Sequence, residues 1–222
     1  MTHRFDAAAI AAVYRAIEGR RDIREFVPGA LPDGLLPRLY AAAHAAPSVG
    51  FMQPWRMIHV SDPRRRAAIS ELVEAERLRT AAALPSRGAE FLRLKVDGLR
   101  SCAEVVVVAL MDGCEPHIFG RRTLPELAVA SAACAIQNMW LAARAEGVGL
   151  GWVSLFDPEA LAQLFAMPPG ARPIAVLCIG PVAEFPARPS LETQGWGVRQ
   201  PIDHVVFENA WPADARPTPP AY

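Results

Sequence analysis

The stretch that decides the fold is residues 134–161, CAIQNMWLAARAEGVGLGWVSLFDPEAL. Extended back to Leu124, its first part (LPELAVASAACAIQNMWLAARAEG) is apolar on nearly every side and is stopped by Gly147. That pattern predicts the longest helix of the chain, buried at its centre. VGLGWVSL follows as a strand, and Asp157 with Pro158 opens a short helix. Glycines at 147, 149 and 151 invite a nucleotide-binding reading. The dinucleotide fingerprint, however, needs strand, glycine turn, then helix, and here a helix comes first and a strand last. The glycines are instead expected to let the strand pass close to something planar, with Trp152 and Ser154 just beyond.

The same grammar continues outward. FDAAAIAAVYRAIEGR starts at Asp6 as an N-cap, carries Ile10, Val13, Tyr14 and Ile17 on one face, and ends at Gly19. A second helix runs to about Ala46 and is closed by Pro47. WRMIHVSD alternates like a strand, and an exposed, charged helix begins at Asp62 and Pro63. AEVVVVALM is an unbroken β-branched run, as expected of a strand buried on both faces, and PIAVLCIGPV supplies another strand. Helices alternating with apolar strands predict a single α/β or α+β domain, with helices covering a central sheet. After Val182 the composition turns to Pro, Arg and Glu, and residues 213–222 are expected to be a flexible tail. Residues 183–212 differ, because Trp196, Val205, Val206, Phe207 and Trp211 need burial. They predict an arm that packs on a second copy in a symmetric dimer.

Bulk properties narrow the partners. The 222 residues are 52% hydrophobic, enough for a full core, and 23 basic residues balance 23 acidic ones. No global field therefore draws the protein to nucleic acid or an anionic membrane. Lys95 is the only lysine, so cations appear as arginine whatever their role. Cys102, Cys114, Cys134 and Cys178 lack metal or disulfide spacing and read as reduced; three of them lie in apolar runs and are expected to be buried. The five histidines are scattered, and no metal site is expected. No signal peptide or membrane-spanning run is evident, which makes the cytoplasm the expected location.

Two further segments carry chemistry. GRRDIREF, residues 19–26, sets Arg20, Arg21 and Arg24 around one carboxylate, Asp22. Forked guanidinium donors suit a phosphomonoester, although cations following a helix also complement the negative end of its dipole. APSVGFMQPW joins a helix end to a strand through Ser48, Gly50, Met52 and Gln53, residue types that can receive a flat heterocycle or simply form a loop.

Taken in order and spacing, RRDIREF, APSVGFMQPW, KVDGL, the 134–161 stretch and LETQGWGVRQPI resemble the nitroreductase-like flavoprotein family, and within it the 5,6-dimethylbenzimidazole synthase branch. The resemblance runs from about Ile17 to Phe207. It implies one FMN-binding domain over residues 1–222, of α+β class, with a central mixed, mainly antiparallel sheet flanked by helices and a C-terminal arm exchanged in a homodimer. In the family an Arg-x-Ser-x-Arg/Lys pattern grips the FMN phosphate and ribityl chain, assisted by a late arginine. Arg20, Arg21 and Arg24 match the grip and Arg199 the late arginine, while Asp22 replaces the serine. That replacement, with a serine at position 154, marks the benzimidazole-forming branch.

The resemblance further implies that reduced FMN and O2 are consumed to give dimethylbenzimidazole, the lower ligand of cobalamin, with release of erythrose 4-phosphate. Cleaving a ribityl carbon–carbon bond requires a proton to leave a sugar hydroxyl, and Asp22 is the expected general base. Flanking arginines should lower its pKa and burial should raise it, so the net direction is open. Ser154 is expected to hydrogen-bond the flavin edge, and Ser48, Gly50, Met52, Gln53, Gly151 and Trp152 to line the flavin. LPSRGAEFLRLKVDGL is placed as a lid, with Leu99 at the ring. Such a lid leaves little room for nicotinamide, so a separate NAD(P)H-dependent flavin reductase is expected to supply the reduced FMN. GRRTLPELAVAS, with Ala128 and Ala130, and CAEVVVV depart from the branch pattern. Two alternatives remain: an NAD(P)H-dependent nitro- or flavin reductase, and a non-catalytic flavin-binding protein.

Overall fold

A computed structural model describes residues 3–111, 120 and 122–212. In chain order it contains α1 (Ala7–Gly19), α2 (Leu35–His44), β1 (Trp55–His59), α3 (Pro63–Ala83), α4 (Gly88–Phe91), β2 (Glu104–Met111), α5 (Leu127–Ala145), β3 (Gly149–Val153), α6 (Pro158–Leu164), β4 (Ala171–Gly180) and α7 (Ser190–Thr193). Three helix starts follow directly from short acidic side chains. Asp6 accepts a hydrogen bond from the Ala9 amide, Asp62 from that of Arg64, and Asp157 from those of Glu159 and Ala160. Each satisfies amides that have no partner within the helix. Gly147, at φ 74°, ends α5 in the left-handed region.

The strands lie in the order β1-β2-β4-β3, every neighbouring pair antiparallel. A single parallel bridge, Asp22 to Leu150, adds the segment after α1 to the β3 edge. Alternation along β2 feeds two cores. Val106, Val108 and Leu110 face α2 and α5, whereas Val105 and Val107 face Ile69 and Val73 of α3 and Leu161 of α6. The molecule is thus a three-layer α+β sandwich. Helix α5 buries Ala132, Ala135, Ile136, Met139, Trp140 and Ala143, the i, i+3, i+4 spacing of a broad apolar face.

Two expectations need correction. The charged α3, at 21 residues, is longer than the 19-residue α5, because charged residues propagate a helix without requiring a core. Cys134 is exposed whereas Cys102 and Cys178 are buried; an apolar run fixes neither which side of a helix a residue occupies nor what covers it. The apolar side of α1 is uncovered, with Val13, Tyr14 and Ile17 exposed by 50, 60 and 47%. Cys114 and residues 213–222 lie outside the described residues. Along the arm, Val198, Ile202, Val205, Val206 and Trp211 are exposed, and Phe207 meets Trp211 edge to face. Trp196 instead finds burial in its own chain, against Phe91 and beneath the Arg87 guanidinium.

Among the described residues, no helix is long and apolar enough to cross a membrane, and no cluster of three His, Cys, Asp or Glu could hold a metal ion.

Candidate active site

The site is built where α1 ends against β3. The Ile23 amide donates to the Leu150 carbonyl at 3.1 Å, which lays residues 22 and 23 along the strand edge. This close pass explains Gly151. A Cβ there would lie 2.0 Å from the Ile23 carbonyl oxygen and 2.7 Å from Nη1 of Arg24, so only glycine admits the approach. At position 151 the strand passes close to the protein's own backbone.

Asp22 is held from both ends of its carboxylate. Oδ1 accepts from the Trp152 amide at 2.9 Å, and Oδ2 pairs with Nη2 of Arg24 at 2.6 Å. The same Arg24 nitrogen donates to the Trp152 carbonyl at 2.7 Å. The carboxylate is crowded but not sealed: 43% of the side chain remains exposed, against 15% for Arg24. It opens on a cleft of about 460 Å³ that is also lined by Glu25, Lys95, Ser190 and Gln194. Lys95, paired with Glu25 at 3.1 Å, brings the segment expected as a lid to the rim of this cleft.

The direction left open by the sequence resolves in favour of burial. Desolvation pushes the Asp22 carboxyl above the ordinary carboxylate range, and Arg24, the Trp152 amide and Arg20 pull it back without cancelling the rise. Such a carboxylate is a stronger base than one in water.

The arginines divide their labour. Arg21 is committed to structure, with Nη1 on the carbonyls of Glu18 and Arg20 and Nη2 on that of Ala187. For this residue the helix-dipole reading holds, since Glu18 lies in the last turn of α1 and its carbonyl needs a donor. Arg20 differs. Its guanidinium lies 4.5 Å from the centre of the Trp140 ring, and burial, with Arg21 and Arg199 nearby, holds its pKa below the ordinary arginine value while Asp22 opposes the shift. Arg199 lies near enough to add its positive charge to the field at Arg20, which Asp22 opposes. Arg21 Nε and Arg24 Nη1 are buried without a partner among the described residues. Crowded positive charge, with the Arg20 guanidinium not committed to a carbonyl as Arg21 is, suits a phosphate monoester, so the residues present fit the phosphate end of FMN.

The second group lies elsewhere on α5. Ser48 Oγ accepts from the Gln53 amide at 3.1 Å, and the Val49 amide donates to Ser131 Oγ at 3.1 Å. Gly50, Phe51 and Gln53 all have positive φ, at 54°, 56° and 44°. Two non-glycine residues held in the left-handed region mark a loop whose shape is over-determined by its surroundings. Met52 is half-buried beside it. Ser131 and Trp140, which tie the two groups to α5, are nine residues or about 13 Å of helix apart. Neither was singled out from sequence, although Ser131 is the one polar residue on the buried face of α5.

Ser154 stands exposed one residue past β3, and Trp152 is half-buried with its ring 6.5 Å from that of Trp140. Leu99 is 4% exposed and packs in the core with Ile23, Phe26 and Val105, while the outer part of the 84–99 segment lies nearer the surface.

Comparison with known proteins places the chain in a family. The chain is 36% identical over 200 residues to 5,6-dimethylbenzimidazole synthase of Rhodospirillum rubrum, covering 89% of this chain and 94% of that protein. It is 37% identical over 195 residues to the Rhodobacter capsulatus protein of the same name, covering 86% and 94%. Among solved structures, nitroreductase A of Vibrio parahaemolyticus superposes with a TM-score of 0.67 at 19% identity, over 90% of this chain and 77% of that one, which establishes the shared fold. The model described as Nitroreductase family matches residues 17–181, and the chain belongs to that family.

Proposed function

We propose that this protein makes 5,6-dimethylbenzimidazole from reduced FMN and O2, releasing erythrose 4-phosphate. The carrying observation is Asp22, a carboxylate held between the Trp152 amide and Arg24, with Arg20 and Arg199 adding positive charge nearby. The names of the two bacterial relatives support the product.

Reduced FMN is the substrate, and with O2 it supplies the redox chemistry. The protein binds, orients and moves a proton. Arg20 and Arg199, whose charges act on one another near Asp22, take the phosphate, and the ribityl chain runs past Asp22. Asp22 removes a proton from a ribityl hydroxyl, and Arg24 and the Trp152 amide keep its oxygens aimed. Ser154, just past β3, orients the flavin edge. The 48–53 loop receives the ring, and the outer 84–99 segment limits water. A separate NAD(P)H-dependent reductase supplies the reduced flavin.

The active form is a homodimer in one-domain subunits. The uncovered faces of α1 and of the 198–211 arm are apolar enough to need a partner, and a second copy offers both. Light scattering of the purified protein is expected to give twice the chain mass.

The test is to mix the protein with excess chemically reduced FMN under air and to assay for dimethylbenzimidazole by mass spectrometry. Its appearance in proportion to enzyme supports the proposal. Rapid NADH oxidation without this product would assign a reductase instead, and recovery of intact FMN would assign a binding protein.

A further inference from the structure

We infer that Trp140 is a positioning residue whose two faces serve different steps: the indole N–H sets Asp22, and the indole ring sets the phosphate-binding Arg20. This rests on the functional reading above.

The geometry separates the two roles. Trp140 sits on the buried face of α5 at 8% exposure. Its Nε1 donates to the Arg21 carbonyl at 3.0 Å, which is the acceptor of the peptide unit that enters Asp22. The next residue along, Ile23, is pinned from the other side by its amide on Leu150. The backbone of Asp22 is thus fixed between α5 and β3, from where its carboxylate meets the Trp152 amide and Arg24. The ring acts on a different residue, since the Arg20 guanidinium lies over it at 4.5 Å. A cation on an aromatic face keeps its charge and its in-plane donors, so the ring fixes Arg20 while leaving those donors for a ligand. Arg144, one turn on from Trp140, fastens the preceding residue through Nε on the Gly19 carbonyl at 2.9 Å, so α5 grips the whole turn from 19 to 21. A tryptophan needed only for packing would have no call for both contacts, since an aliphatic side chain fills such a site without a buried N–H to satisfy.

The test compares Trp140→Phe, which keeps an aromatic face but loses the N–H, with Trp140→Leu, which loses both. Three readouts are taken on the full chain: the Kd for FMN by quenching of flavin fluorescence, kcat and KM for dimethylbenzimidazole formation, and the Asp22 titration by 13C NMR, assigned with Asp22→Asn. Trp140→Phe is expected to lower kcat about fivefold, the value of one hydrogen bond, to shift the Asp22 titration, and to leave the FMN Kd within about threefold of the parent. Trp140→Leu is expected to add a rise of about fivefold in Kd. Should Trp140→Leu not fold, Arg20→Gln in the Trp140→Phe background replaces it, and is expected to raise Kd by the same factor as in the parent. The inference is overturned if Trp140→Phe leaves kcat and the Asp22 titration unchanged, or if it raises Kd as much as Trp140→Leu. Failure of the functional reading looks different: the parent itself would bind no FMN, or would bind it and form no product, and in the latter case Kd and the Asp22 titration still decide the role of Trp140.

Discussion

Replacing Gly151 by alanine is the sharpest structural perturbation of this site. The added Cβ would meet the Ile23 carbonyl oxygen at 2.0 Å and Arg24 Nη1 at 2.7 Å, with the Ile23 carbonyl carbon at 3.2 Å. Contact with backbone cannot be relieved by a rotamer change, so residues 22–24 must move off β3. Two hydrogen bonds are then at risk, Ile23 to Leu150 and Trp152 to Asp22, at about 1 kcal/mol each. Overpacking adds about 1–3 kcal/mol, for a total of about 3–5 kcal/mol. For a domain of this size 1 kcal/mol moves the melting temperature by about 2–4 °C, so a fall of about 6–20 °C is expected by circular dichroism. Activity should fall further than stability, because the displaced segment carries Asp22. A melting temperature within about 1 °C of the parent would refute the claim that Gly151 exists to admit Ile23.

Other outcomes follow from the same geometry. Arg20→Gln and Arg199→Gln are expected to weaken FMN binding about tenfold or more with little change in melting temperature, whereas Arg21→Gln, which strips donors from three carbonyls, should lower the melting temperature and affect binding less; equilibrium titration and thermal melts distinguish the two classes. The rate should fall as pH drops through the raised pKa of Asp22, so the acid limb lies above the ordinary value of about 3.9 and is absent in the residual activity of Asp22→Asn. The same shift acts against folding in the opposite sense: with the folded pKa raised, the contribution of Asp22 to stability is full below the unfolded value and is lost as pH rises through the folded one. In mass mapping after brief iodoacetamide treatment, Cys134 should be labelled before Cys102 and Cys178, in keeping with its exposure.

How much of this was legible in the sequence depended on the range of the interaction. Caps at Asp6, Asp62 and Asp157 are contacts over two or three residues and were readable directly. So was the doubly buried β2, whose unbroken β-branched run has no exposed face to interrupt it. The union of Asp22 with Trp152 spans 130 residues and has no local signature, and only the family resemblance placed them together. The three arginines look alike in sequence, yet Arg21 spends its donors on carbonyls while Arg20 is lifted onto Trp140. Leu99 and Gly151 are packed against their own chain, contacts that sequence does not separate from contacts to a ligand, because both demand apolar surface and room for close approach. Periodicity identified the apolar side of α1 without revealing that its own chain leaves it bare.

The central claim is that Asp22 acts as a base toward the ribityl chain of reduced FMN. It is tested most directly by single-turnover formation of dimethylbenzimidazole in Asp22→Asn, with FMN affinity measured on the same preparation. Product formation should fall at least a hundredfold, the range of general-base catalysis, while FMN is still bound. Product at the parent rate from Asp22→Asn would contradict it.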